Sequence, residues 1–230
     1  MPPLVLCAHG TANAAGQQVV LDLVALTRAE LPGTRVEAAY VDVQSPGPGE
    51  VVSGLYDAAD PPVIVPLLLS TGFHVEVDIE EVVQAYPGTL ATDALGPSAL
   101  IADLVLDRLA EVGAMSTDAV VFAAAGSSRA RAARDAEQAA GMVRARRPRD
   151  AAPLMLGYGS ASSPTVPEVV ARLRERGAQR VVVASYLLGP GHFHDKLQHA
   201  GADLVTAPLG ADHRIVAQAI ARYLAVLAQV

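Results

Sequence analysis

The chain has 230 residues, 51% of them hydrophobic, with a mean hydropathy of +0.32; this supplies apolar material for one large or two small cores and excludes a disordered chain. Its formal net charge is −7, aromatic residues make up 4% and tryptophan is absent, which argues against nucleic acid as a partner. No apolar run approaches the roughly 18 residues that span a bilayer; Met1-Pro2-Pro3 shows neither basic region nor cleavage site, and the single Cys7 excludes an internal disulfide, so the expected place is the cytoplasm, away from membranes.

The predicted elements alternate along the chain. Short Val/Ile/Leu/Ala runs at 4–8, 35–41, 62–69 and 90–95 read as strands, and a second set follows at 119–125, 153–158, 180–188 and 203–207. They are apolar almost throughout, as strands covered on both faces are. Segments of helical length lie between them. In the first, Gln17, Asp22, Arg28 and Glu30 interleave with Val19, Val20, Leu23, Val24 and Leu26. Pro48, Pro97 and Pro167 mark helix starts, where a missing N–H costs least. Strand and helix in alternation predict an α/β chain with parallel sheets. The least structured joint, 111–118, divides it into residues 1–114 and 115–230.

The two halves repeat. LVLCAHGTA from Leu4 recurs as VVFAAAGSS from Val120, with Ala125 in place of His9. AYVDVQSPGPGEVV from Ala39 recurs as GYGSASSPTVPEVV from Gly157, with Ser160 in place of Asp42. VIVPLLLSTGFH from Val63 matches VVVASYLLGPGH from Val181, which pairs His74 with His192. The second half keeps glycines, prolines and aliphatic residues, so folding does not demand His9 or Asp42. Charge also divides unequally. Residues 1–114 hold three basic and fifteen acidic side chains, a balance of −12, and the remainder holds 14 and 9, a balance of +5. That asymmetry reads either as solvated surface or as an acidic lobe for a cation and a basic lobe for a polyanion.

Ligands of parallel sheets bind beyond the carboxyl ends of the strands. His9 follows the first strand, Asp42 ends the second, and Ser70, Thr71, Gly72 and His74 follow the third. Two imidazoles and a carboxylate suit Fe²⁺, Co²⁺, Ni²⁺ or Zn²⁺ and leave coordination positions open. If a helix begins at His74, Asp78 lies one turn away and can orient its ring. Gly10 and the Gly126-Ser127-Ser128 loop are candidate anion contacts through backbone N–H groups. Neither is a dinucleotide or Walker loop, and no G-x-S-x-G elbow appears. His192, His194, Asp195 and His199 form either a second metal site or the wall of a cleft opposite His74. Arg129, Arg131 and Arg134 hold carboxylates or lie on a solvated helix face.

LVLCAHGTANAAG, VEAAYVDVQSP, PLLLSTGFHVEVDI and YLLGPGHFHDKL, taken together, resemble the sirohydrochlorin chelatases, the class II cobaltochelatase and ferrochelatase group. The resemblance covers essentially the whole chain. It implies a chelatase-like fold of two lobes, each a four-stranded parallel sheet with flanking helices, and a cleft between them. It implies insertion of Fe²⁺ or Co²⁺ into sirohydrochlorin without ATP, for sirohaem or cobalamin, with the metal as substrate and no organic cofactor. The family's first histidine falls on His9 and its second on His74, as metal ligands and proton acceptors. Asp42 stands where a glutamate is usual. Gly10, Ser70, Gly72, Arg129, Arg131 and His192 are the implied tetrapyrrole contacts. Shorter members pair two chains, so this chain reads as a fused monomer with an internal pseudo-dimer. The alternatives are a metal or tetrapyrrole delivery protein without turnover and a metal-dependent hydrolase.

Overall fold

The computed structural model describes residues 1–73 and 75–229, the side chains of Val75 and Glu76 excepted. All eight apolar runs form strands. In β1 (Leu4–Ala8) every residue is buried, and so it is in β5 (Ala119–Ala124) and β7 (Val181–Tyr186), because helices cover both faces. The first half continues with α1 (Ala14–Glu30), β2 (Val36–Tyr40), α2 (Pro48–Leu55), β3 (Val63–Pro66), a π-helical turn (Val75–Ile79), α3 (Glu80–Ala85), β4 (Leu90–Ala91) and α4 (Ala99–Glu111). After β5 come α5 (Ala130–Arg146), β6 (Leu154–Tyr158), α6 (Val166–Glu175), β7, α7 (His192–Leu197), β8 (Leu204–Val205) and α8 (His213–Leu227). The sheets are both parallel and four-stranded, with orders β2-β1-β3-β4 and β6-β5-β7-β8, so the predicted α/β architecture is present twice.

Local chemistry explains the helix starts. Asn13 accepts a hydrogen bond from the Gly16 amide at 3.1 Å and caps α1. Pro48 opens α2. Thr165 and Glu168 form a reciprocal capping box on α6. Phe122 is fully buried, and its ring lies 4.6 Å from that of the buried Tyr186.

Packing divides the chain into two compact units, Met1–Leu95 with Ala211–Val230, and Gly96–Gly210. Each half thus gives its last helix to the unit built on the other half's sheet. The apolar stripe of α4 packs against α5 and β7, and Arg108 on α4 donates to the carbonyls of Pro208 and Leu209 at 3.2 and 2.7 Å. Helix α8 packs against α1 and β3, and the hydroxyl of the fully buried Tyr223 donates to the Pro2 carbonyl at 2.5 Å. A boundary at 114 separates the two sheets but not the two packing units. Counted by unit, four basic and 13 acidic residues leave −9 on the first; 13 basic and 11 acidic leave +2 on the second.

Strand register places the repeat more finely than sequence does. Leu4 pairs with Val36 and Val63, whereas Val120 pairs with Leu154 and Val182. The Ile64 carbonyl accepts from Thr92 and that of Val183 from Thr206; the Leu68 carbonyl accepts from Leu95 and that of Leu187 from Leu209. The third strands therefore correspond one residue later than the sequence match suggests. Counted on residue by residue from Leu68 and Leu187, Gly72 falls on Gly191 and Phe73 on His192. This corrects the sequence pairing that gave His192 to His74. A run of nearly uniform aliphatic residues carries no phase, and the hydrogen-bond ladder supplies it.

Candidate functional site

The carboxyl edge of the first sheet brings His9 and Asp42 together. Beyond β1 and β2 the ladder continues for one more step on each side: Val41 N–H donates to the Ala8 carbonyl and Asp42 N–H to the His9 carbonyl, both at 3.0 Å. His9 is partly buried, with its Nδ1 3.3 Å from the Gly10 carbonyl oxygen. Asp42 is exposed, and its Oδ1 accepts the Val43 amide at 2.8 Å. Gly10 has φ +94°, and a Cβ there would overlap the Asp42 carbonyl oxygen, so only glycine lets the two loops touch.

A polar tie holds this edge that sequence reasoning missed. The Thr11 amide donates to Gln44 Oε1 at 2.8 Å, and Gln17 Nε2 donates to the Thr11 carbonyl at 2.8 Å. Nothing in the sequence links the two glutamines; only the fold shows that they clamp the loop behind His9.

The loop after β3 carries the remaining predicted groups. Ser70 and Gly72 are partly buried and Thr71 is buried at 3% exposure. His74 lies outside the described residues. The segment that follows is a π-helical turn, in which Asp78 is partly buried; such turns often accompany functional sites. Asp78 also lies close enough to Cys7 to act on it. Burial first, and the Asp78 charge second, push the Cys7 thiol up to about 12, so it stays protonated.

The same edge of the second unit has the same backbone and different chemistry. Gly159 N–H donates to the Ala124 carbonyl at 2.8 Å and Ser160 N–H to that of Ala125 at 2.9 Å, as Val41 and Asp42 do in the first unit. Gly126 has φ +93°, and a Cβ there would overlap the Ser160 carbonyl oxygen. The serines turn back on the loop: Ser160 Oγ donates to the Ala125 carbonyl at 3.1 Å and Ser162 Oγ to that of Ser127 at 2.8 Å. Arg129 is the first residue before α5, its amide donating to Ser127 Oγ at 3.2 Å; Arg131 is exposed in the first turn. His192 opens α7, exposed, with its ring edge-on to Phe193 at 5.8 Å. His194 Nε2 lies 3.1 Å from the Thr206 carbonyl oxygen, which ties that ring to β8. Its neighbours Asp195 and His199 are exposed, and no three His, Cys, Asp or Glu side chains converge on one point among the described residues.

Both halves independently match one family model, CbiX, over residues 3–112 and 119–225. This chain belongs to the CbiX family. That agrees with the resemblance to sirohydrochlorin chelatases carried by the motifs, and a double match within one chain fits the repeat seen in the sheets. Among solved structures, SirB from Bacillus subtilis with Fe³⁺ superposes with a TM-score of 0.79 at 20% identity, covering 97% of this chain and 95% of that one. SirB from the spizizenii subspecies in complex with cobalt gives 0.72 at 16%, covering 96% and 94%. CbiX described as the terminal enzyme of sirohaem biosynthesis in denitrifying bacteria gives 0.70 at 21%, covering 97% and 98%. At these identities the likeness establishes the shared CbiX-type fold. No curated protein sequence matches the chain. No described helix is long and apolar enough to cross a membrane.

Proposed function

We propose that this CbiX-family chain inserts a divalent metal, Fe²⁺ or Co²⁺, into sirohydrochlorin without ATP, with the ion as a substrate. The observation that carries the reading is the contrast between two copies of one backbone. The first edge carries His9 and Asp42, joined through their backbones; the second has Ala125 and Ser160 in the same hydrogen-bonded frame. Metal insertion removes two pyrrole N–H protons as the ion gains four nitrogen ligands and sheds water. His9 takes a proton on its imidazole and passes it to solvent. Asp42 keeps one oxygen on the Val43 amide and has the other left for the ion or the second proton. His74, one residue beyond Phe73, completes the ligand set. Two histidines and a carboxylate bind loosely enough to surrender the ion to the macrocycle.

The carboxylates of sirohydrochlorin need cations. Arg129 and Arg131 fill that role at the start of α5, with Gly10, Ser70, Gly72 and His192 as further contacts. Neighbouring structures with Fe³⁺ and with cobalt support a metal-handling fold and favour neither ion. The test is the visible spectrum of sirohydrochlorin with catalytic protein and each ion. Metallated product in molar excess over protein supports the chelatase; stoichiometric binding without turnover points to a delivery protein.

A further inference from the structure

The loop that holds Asp42 also holds a residue that folding alone does not explain. Val43 has φ +58°, a left-handed conformation that a β-branched side chain resists, and 58% of it is exposed. A strained apolar side chain that gains little packing in return is a mark of function. Its counterpart in the second unit, Ala161, has φ +51° and so keeps the backbone turn without the isopropyl group. Phe73, on the loop after β3, is 45% exposed, and counting on from the ladder at Leu68 and Leu187 gives it His192 as counterpart. The other large exposed apolar residues are Met1, Leu21, Leu100, Met115 and Leu224, which lie at the terminus, on helices or in the joint before β5. Val43 and Phe73 are thus the exposed large apolar side chains on the ligand-edge loops of the first sheet among the described residues. Both vary together with His9 and Asp42 between the two copies.

We infer that Val43 and Phe73 form an apolar platform for the flat face of the macrocycle, and so set the first unit's preference for a tetrapyrrole. The inference rests on the chelatase reading and deepens it. An ion entering a macrocycle passes through its centre, so a ligand that delivers it approaches along the ring normal. Side chains beside that ligand then meet the ring face, which is apolar and polarisable; the charged carboxylates lie at the rim. Val43 directly follows Asp42, and Phe73 lies on the loop after β3; the strand order β2-β1-β3 sets these two loops on either side of the one that carries His9. An apolar contact there is indifferent to which ion is delivered and to salt, unlike the arginine contacts.

The test is a fluorescence titration of metal-free sirohydrochlorin with wild type, Val43→Gly, Val43→Ala and Phe73→Ala, alongside steady-state insertion rates and thermal melting. Loss of each contact raises the Kd and KM for sirohydrochlorin about fivefold, with the metal KM unchanged and the ratio to wild type the same at low and high salt. Val43→Gly also melts no lower than wild type, because glycine accepts the positive φ; a structural role predicts the opposite. Unchanged Kd in the folded variants, with an active wild type, overturns the platform and leaves the chelatase standing. A wild type that neither binds nor metallates sirohydrochlorin overturns both.

Discussion

His9 and Asp42 sit in a frame whose second copy shows what folding needs there: a small residue at the first position and a hydrogen-bonding one at the second. His9→Ala therefore leaves melting within about 2 °C of wild type, because surface substitutions away from packed features shift stability by only about 0.5 kcal/mol. Its insertion rate falls about a hundredfold, the scale of a lost general base. Near-wild-type turnover would remove His9 from the chemistry. Asp42→Asn preserves the cap on the Val43 amide and removes the charge, so its loss is smaller, about tenfold. Rescue by excess metal marks an ion-binding role, whereas a defect persisting at saturation marks proton transfer. A second residue-scale prediction concerns pH. Tyr186 is buried, and burial first, then the Asp135 charge, raise its phenol well above the ordinary value near 10. A raised folded value gives stability that is complete below pH 10 and is lost as pH rises beyond it. Tyr186→Phe removes that dependence, so its melting temperature falls less steeply above pH 10; parallel profiles would refute the cause.

At the scale of elements, one loop crossing holds each ligand edge together, and each depends on a glycine. Gly126→Ala must adopt φ +93° and push the Ser160 carbonyl away. The cost is about 3 kcal/mol, combining backbone strain with local displacement, and it falls on the unit without His9. Calorimetry reads it as a melting temperature lower by several degrees; an unaltered transition would mean that the loops separate freely. These loops were partly legible. Gly10 and Gly126 stood at equivalent places after strands, but which carbonyl each met required the ladder. The third-strand match shows the limit from the other side. Val-Ile-Val-Pro against Val-Val-Val-Ala aligns equally well in two phases, and only the pairing of Val183 and Leu187 with the fourth strand selected one.

Across the whole molecule, the helix exchange redistributes both stability and charge. Helix α8 buries Ile215, Val216, Ala219 and Tyr223 in the unit built on the first sheet. Tyr223→Ala removes a fully buried ring and its bond to the Pro2 carbonyl, at about 4 kcal/mol. Proteolysis in mild urea should then cut residues 1–95 before residues 96–210; the reverse order would deny that α8 holds the first sheet. The exchange also narrows the apparent contrast in charge. Many second-unit arginines serve the fold: Arg147 donates to the carbonyls of Ala152 and Asp118, Arg174 pairs with Asp203, and Arg146 with Asp103. Net charge is therefore a poor guide to where a polyanion binds, and Arg129 and Arg131 stand on their position at the start of α5. Replacing both with alanine raises the KM for sirohydrochlorin about tenfold, less at high salt, and leaves the metal KM in place. A salt-independent or absent change would return them to solvent.

Sequence by itself determined the α/β alternation, the eight strands, the repeat, the family and the placement of His9 and Asp42 at strand ends. Those features are local: apolar runs, turn residues and motifs state them one after another along the chain. Tertiary structure decided which helix closes which unit, where the third strands stand in register, how Gln17 and Gln44 brace the site, and that Val43 is held strained and exposed. Each of these depends on pairing between residues far apart in the chain. A helix stripe or an aliphatic run is complementary to several partners, and only burial and a closed hydrogen-bond ladder choose among them.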